Sequence, residues 1–262
     1  MEYQELLVQK RDRVAIITFN RPRERNPLTP TMGAELRAAL ESAASDPEVA
    51  VCILTGAGDR SFCSGAYIKD PKVHSAESAA DYLAHRRDGG AVSLLDNFPK
   101  PVIAAVNGYC LGAGLNVAIR CDTILAAENA VFGFPASSFG IITEYGASVR
   151  LAQWVGRGKA FELAVFARRI DAHEAQGIGL ANKVVPRERL MDEAMEWAYG
   201  ITRLGPMAVR LAKEQLNEGL NRGMEPVLQS NFYRAMATSI SRDREEGHRA
   251  WREKRAPVFT GQ

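Results

Sequence analysis

Short β-branched runs alternate with amphipathic stretches through the first half of the chain, and amphipathic stretches fill most of the second. Residues 14–20 (VAIITFN) follow a charged KRDR and read as a strand that Arg21-Pro22 stops. Thr29-Pro30 predicts a helix start with proline at the first helical position, and Met32, Leu36 and Leu40 fall on one face. Ser45-Asp46-Pro47 ends that helix. Residues 49–55 (VAVCILT) are apolar on both faces, as a fully buried strand is, and the turn Gly56-Ala57-Gly58-Asp59 closes it. Strand, helix and strand in this order predict parallel pairing through a crossover.

Residues 61–69 (SFCSGAYIK) are short, with Gly65 where the backbone must turn tightly or admit a ligand. The polar, histidine-bearing stretch 70–98 has helical spacing in Ala79, Leu83 and then Val92, Leu95, and reads as a mobile covering segment. A buried strand at 101–106 breaks at Asn107-Gly108, and Leu111-Gly112-Ala113-Gly114 lead into an apolar helix that ends near Arg120-Cys121. Strands at 123–126 and 130–132 and a helix at 146–155 follow. From residue 158 the pattern is mostly helical: 159–166, 171–177, a short strand at 183–185, then 187–203, 206–220, 226–240 and 242–255. The expectation is an α/β core domain over 1–203 carrying a helical C-terminal region, 204–262, with no Gly/Ser linker between them.

A chain of 262 residues, 46% hydrophobic and 24% charged, has the composition of a soluble protein with a sizeable core. A net charge of +2, with no free-standing cluster of lysine and arginine, argues against nucleic acid and for a small-molecule partner. Cys52, Cys63, Cys110 and Cys121 sit among apolar or small residues without a CxxC pair or a histidine at ligand spacing, so they read as reduced structural thiols and no metal is expected. The N-terminus lacks a signal-peptide layout and no apolar run reaches membrane-spanning length; the expected location is cytoplasmic.

The glycine-rich turn before the apolar helix leaves backbone N–H groups pointing one way, which suits a negatively charged oxygen. Taken alone it is equally a plain helix start. A phosphate loop is the poorer reading, because GxxxxGK and GxGxxG are absent. The neighbours of this turn narrow the choice. In order, Asn20-Arg21-Pro22, residues 51–56, 61–69, 100–114, Cys121-Asp122, 151–156, 172–186 (AHEAQGIGLANKVVP) and Glu253-Lys254-Arg255 resemble the crotonase (enoyl-CoA hydratase/isomerase) superfamily across nearly the whole chain.

That resemblance implies an α/β crotonase-like spiral of β-β-α turns with a helical C-terminal trimerisation region, assembled as a homotrimer or hexamer. It implies an acyl-CoA substrate, coenzyme A entering only as part of that substrate, and no separate cofactor. Two backbone N–H groups would hold the thioester oxygen as an enolate forms, those of Ala66, just after Gly65, and Ala113, within Leu111-Gly112-Ala113-Gly114. Arg21, Lys69, Lys254 and Arg255 are the implied CoA contacts, while Gly65, Tyr67, Gly112, Asn116 and Ala136 line the substrate site.

Hydratases of this family use two glutamates, but those places hold Asn116 and, after Phe132-Gly133-Phe134-Pro135, Ala136. Neither side chain can act as a base. A third acidic place is filled by Glu144, matching the single glutamate of yeast-type and peroxisomal Δ3,Δ2-enoyl-CoA isomerases, the aspartate of dienoyl-CoA isomerases and the nucleophilic aspartate of 4-chlorobenzoyl-CoA dehalogenases. Set among Phe139, Ile141 and Ile142, its carboxyl is expected to be desolvated. Without the resemblance, Glu144 is simply an acidic residue in the first turn of the helix near Gly146. The implied activity is enoyl-CoA double-bond isomerisation with Glu144 as single base. The alternatives are hydration, dehalogenation, or a CoA-ester binder that has lost its activity. A dehalogenase would share Gly65-Ala66-Tyr67, but its pocket aromatic maps onto Ala136 and its histidine near Gly89; His74 and His85 read as surface histidines. If Glu144 is not the base, Asp81, His85 and Asp88 are next.

Overall fold

The computed structural model of the chain describes residues 3–67 and 90–262. Its strands form two sheets. The larger has six strands in the order β1 (Leu6–Arg11), β2 (Val14–Phe19), β3 (Val51–Gly56), β5 (Val102–Val106), β7 (Thr123–Ala127) and β10 (Lys183–Val185). The smaller runs β4 (Ser61–Cys63), β6 (Tyr109–Leu111), β8 (Val131–Gly133) and β9 (Arg169–Asp171). All pairings are parallel except β1 with β2 and β8 with β9. Three successive pairs, β3–β4, β5–β6 and β7–β8, each give one strand to each sheet. Helices α2 (Ala113–Ala118) and α3 (Ala147–Ala164) follow the last two pairs. That repeat is the spiral the resemblance implied.

The apolar run of β3 is continuous because both of its faces are covered. Val51 and Ile53 pack with Ile103 and Leu125 against α5 (Leu190–Thr202), through Leu190, Ala194 and Met195. Cys52 and Leu54 face the other way, into the core beneath α1 (Pro30–Ser45), which buries Met32, Leu36 and Leu40. Phe19 of the large sheet meets Phe62 of the small one edge to face at 5.3 Å, and neither ring is exposed. Helix α1 begins where the sequence predicts: Thr29 caps it by accepting the Met32 N–H at 3.0 Å.

Four strands were not foreseen. Ser61–Cys63, Tyr109–Leu111 and Arg169–Asp171 are each three residues long, too short to show a period, so the short segment before Gly65 and the turn after Asn107-Gly108 each hold a strand and the back of the chain is not helical throughout apart from β10. Leu6–Arg11 is an antiparallel edge with a single buried residue, which hides its alternation. Gly156, at φ 75° and ψ 160°, interrupts α3 in the gap expected between 155 and 159.

Helix α4 (Ala172–Gly177) leads through β10 to α5, and the last three helices are α6 (Pro206–Arg222), α7 (Met224–Ser239) and α8 (Arg242–Glu253). Helix α6 is tied to the core by Lys213, 8% exposed, whose ammonium donates to the Asp122 carboxylate and the Lys100 carbonyl, both at 2.8 Å. In α8 the Glu246 carboxylate accepts from the Arg255 guanidinium and from the Val258 N–H, and Asp243 accepts the N–H groups of Thr260 and Gly261. The C-terminal tail is thereby folded back on α8. No described helix is long and apolar enough to cross a membrane.

Candidate active site

The residues from Ser64 to Tyr67 run beside Leu28, and the bonding pattern fixes which way each amide faces. Leu28 N–H donates to the Gly65 carbonyl at 2.8 Å and Tyr67 N–H donates to the Leu28 carbonyl at 3.2 Å, with Ala66 as the bridge partner between them. The bonds to Leu28 use the groups on either side of Ala66, so the N–H of Ala66 points the opposite way. Helix α2 begins at Ala113, whose N–H, in the first turn, has no intrahelical partner. Neither N–H donates to an acceptor among the described residues.

These two backbone stretches meet closely. A Cβ on Gly65 would lie 3.3 Å from the Leu111 carbonyl oxygen and 3.9 Å from the Ala113 nitrogen, and one on Gly112 would lie 3.7 Å from the Gly65 Cα. Gly65 has φ +116° and Gly112 has φ +52° with ψ −118°, conformations an L side chain rarely adopts. The glycines let the chain turn so that Ala66 and Ala113 present their N–H groups to the same space.

That space is a cavity of about 640 Å³. Of the residues singled out in the sequence, Gly65, Ala66, Tyr67, Gly112, Ala113, Asn116, Ala136 and Glu144 all line it. Arg21 and Lys254 do not. The Arg21 guanidinium is engaged by Glu5 at 2.7 Å and Glu24 at 2.5 Å and lies over the Tyr67 ring at 5.3 Å; its hydrogen bond with Glu24 raises its pKa. Lys254 is the left-handed cap of α8, away from the cavity, and Arg255 is bound to Glu246 and Glu253. Lys69, His74, Asp81, His85 and Asp88 lie outside the described residues.

Two cationic residues missed in the sequence, Arg23 and Arg169, also line the cavity; both are exposed and neither enters an ion pair among the described residues. Arg23 in a one-turn 3-10 helix and Arg169 at the head of a three-residue strand carry no periodic signal, so only the fold reveals them. The apolar surround expected for Glu144 is open: Phe139, Ile141 and Ile142 are 63%, 58% and 81% exposed. Phe139 ends a 3-10 turn, Pro135–Phe139, that Gly140 closes in the left-handed region, and Ile141 and Ile142 follow it; all three line the cavity while remaining largely exposed. Glu144 itself is half-buried.

Asn116 is 5% exposed, and its side-chain oxygen accepts from the guanidinium of Arg120, one turn later. Arg120, 6% exposed, also donates to the Tyr145 carbonyl at 2.5 Å and lies 3.1 Å from Asp96, which Arg150 meets at 2.6 Å. Burial pulls the Arg120 pKa down, and Asp96 opposes that shift. Cys63, two residues before Gly65, is fully buried, and burial lifts its thiol to about 11; Cys52 is lifted to about 12 in the same way. Neither is a nucleophile near neutral pH. Among the described residues no group of three His, Cys, Asp or Glu could hold a metal ion.

Comparison with known proteins covers the same span as the fold. The chain is 37% identical over 259 residues to the crotonyl-CoA hydratase of Syntrophomonas wolfei, covering 99% of each chain. It is 35% identical over 260 residues to the 2,3-dehydroadipyl-CoA hydratase of Escherichia coli, covering 98% of this chain and 99% of that one. The crystal structure of an enoyl-CoA hydratase from Bacillus anthracis matches with a TM-score of 0.93 at 35% identity, over 99% of this chain and 100% of that one. The family model described as enoyl-CoA hydratase/isomerase matches residues 9–262, and the chain therefore belongs to that family.

Proposed function

We propose that the chain moves the double bond of an enoyl-CoA, with Glu144 as the single acid–base group and the N–H groups of Ala66 and Ala113 as the oxyanion donors. The observation that carries this reading is that Glu144 and both donors line one cavity in which positions 116 and 136 hold no carboxylate. The other carboxylate lining it among the described residues, Glu24, is paired with Arg21.

In a 3-enoyl-CoA, Glu144 takes a proton from C2. The C2–H electrons pass into the thioester, giving a dienolate whose oxygen accepts from both N–H groups at the point where charge develops. The same carboxyl returns the proton at C4: the C3=C4 pair forms the new C4–H bond, the C1=C2 pair of the dienolate becomes C2=C3, and the oxygen lone pair reforms the carbonyl. Arg23 and Arg169 offer cationic contacts for anionic parts of the substrate.

The names of the relatives favour hydration, so both reactions belong in the test. Glu144→Gln keeps size and polarity but cannot act as a base, and turnover is expected to fall about a hundredfold to ten-thousandfold with ligand affinity nearly intact. Wild-type hydration of crotonyl-CoA is expected to be slow. Rapid hydration without isomerisation of a 3-enoyl-CoA, or full isomerase activity in Glu144→Gln, would overturn the assignment and move the search for the base to residues 68–89.

The assembly reading is a homotrimer or hexamer. Leu216, Phe232 and Ile240, on or next to α6 and α7, are 71%, 69% and 80% exposed, an apolar surface that a single copy leaves uncovered. A stable monomer in sedimentation at micromolar concentration would count against it.

A further inference from the structure

We infer that Arg120 is a positioning residue of the reaction: one buried guanidinium fixes both the amide of Asn116 and the loop that carries Glu144. This rests on the reading of Glu144 as the base.

The guanidinium occupies the junction of three segments. Its donors reach the Asn116 side-chain oxygen on α2 and the Tyr145 carbonyl, and its Nε stands against Asp96 in the 3-10 helix Gly90–Asn97. Asp96 in turn meets Arg150 on α3, the helix that the Glu144 loop leads into. An arginine this buried is uncommon unless its charge is matched; Asp96 supplies the opposing charge, without a hydrogen bond to Nε, and the two terminal nitrogens donate to Asn116 and to the residue immediately after Glu144.

The loop needs such a hold. Tyr145 has φ 55° and Gly146 φ 69°, so two consecutive residues are left-handed, and one of them carries a side chain. A non-glycine residue in that region persists only where its surroundings impose it. The Arg120 bond to the Tyr145 carbonyl is one such constraint, acting one residue from the carboxylate.

The same contact orients Asn116. With its oxygen accepting from Arg120, the Asn116 amide is held in one orientation at the cavity that the residue lines. Asn116 lies one helical turn beyond Ala113, so this amide stands beside the oxyanion turn. A single cation therefore relates the oxyanion helix, the Asn116 amide and the base.

The test is a double-mutant cycle on isomerase turnover between Arg120→Met and Glu144→Gln, with butyryl-CoA affinity and thermal melting measured on every variant. A displacement of about 1 Å in a catalytic group costs on the order of a hundredfold, so Arg120→Met is expected to lower kcat between tenfold and a hundredfold, with butyryl-CoA affinity within twofold of wild type. In the Glu144→Gln background the same change is expected to cost nothing further, because a residue acting through the base has no effect once the base is gone. Losses that multiply in the double variant, or full turnover in Arg120→Met, overturn the role. If Arg120→Met does not fold, Arg120→Lys carries the comparison. It keeps a cation beside Asp96 but cannot reach Asn116 and Tyr145 together, and wild-type kcat in that variant overturns the role equally. Full activity in Glu144→Gln removes the base assignment instead, and with it this one; an inactive Glu144→Gln beside a fully active Arg120→Met removes the positioning role alone.

Discussion

Gly114→Ala, a change of one methyl group, probes whether the two backbone N–H groups proposed as oxyanion donors, those of Ala66 and Ala113, are held at a fixed separation by direct contact. A Cβ at position 114 would lie 2.1 Å from the Cys63 carbonyl oxygen and 2.8 Å from both the carbonyl carbon and the Cβ of Cys63. Real Cβ contacts essentially never fall under 3.0 Å, so α2 and the end of β4 must part by about 0.9 Å. Both facing atoms of the closest contact belong to elements that lead into the site: Cys63 is three residues before Ala66, and Gly114 follows Ala113. Overpacking of this kind costs roughly 1–3 kcal/mol. At about 2–4 °C per kcal/mol for a chain of this size, the melting temperature should fall by a few degrees to about 10 °C. Turnover should fall far more, on the order of a hundredfold, because the parting displaces one donor relative to the other. Gly33→Ala is the control: it lies in α1 with nothing within 4 Å of the added Cβ, and it should stabilise the protein by roughly 0.5–1 kcal/mol without touching turnover. The measurements are thermal melting and 3-enoyl-CoA isomerisation on the purified variants. A Gly114→Ala protein that melts lower but turns over at the wild-type rate would show that the contact does not set the donor spacing, and the reasoning would fail.

Lys213→Met removes the cation from a largely buried pair and leaves the Asp122 carboxylate without it; because Asp122 is 29% exposed, the cost should be roughly 2–3 kcal/mol, below the ~3–5 kcal/mol of a fully buried pair, and a urea titration would read it. The Arg255 hydrogen bonds, with those from Arg249 and Val258, hold the Glu246 pKa well below its ordinary 4.5. A carboxylate whose folded pKa is depressed contributes stability above its unfolded pKa and loses it as pH falls toward the folded one, so stability should decline as pH drops below about 4.5. Glu246→Gln should be less stable at neutral pH and should lack that part of the acid decline, seen in melting curves taken from pH 7 downward.

Much of the cavity lining was legible because it is built from glycine-dependent turns. Gly65 and Gly112 stand out in sequence as residues needed for turns, and the alanines after them follow by adjacency. The Thr29-Pro30 cap, the two-sided apolar run of β3 and the break near Gly156 were equally local. What sequence reasoning could not reach depends on distant partners. Arg120 entered the sequence reading only as the end of the apolar helix, although it stands four residues after Asn116, a spacing that allows contact. Nothing local marks the Tyr145 carbonyl, 25 residues on, as its other acceptor. Arg21 shows the same dependence on distant partners. Its conspicuous Asn20-Arg21-Pro22 motif suggested a ligand role, and nothing in the sequence signals that Glu5, just before β1, and Glu24 both pair with it. Phe139, Ile141 and Ile142 look like pocket walls by composition and do line the cavity, yet the turn around Gly140 leaves them largely exposed to solvent, so the desolvation expected around Glu144 is not built by these residues.

Asn116 and Arg120 also bear on why the acid–base group should sit in the loop rather than on α2. They face one another across a single helical turn, and a carboxylate at position 116 would be drawn into an ion pair with that guanidinium, its pKa driven down and its lone pairs occupied. A base so held is a poor proton acceptor. With the neutral amide of asparagine there, the guanidinium keeps donors for the Tyr145 carbonyl and a charge for Asp96, and the cavity is lined at this position by a neutral amide instead of a second carboxylate. Ala136 offers no titratable group on the opposite wall. Hydration needs one group to activate water and another to deliver a proton, whereas a double-bond shift needs only one carboxyl that takes a proton from C2 and gives it back at C4. The residues at 116, 120 and 136 are consistent with the second reaction, and the loop that Arg120 holds brings Glu144 to the same cavity as the N–H groups of Ala66 and Ala113.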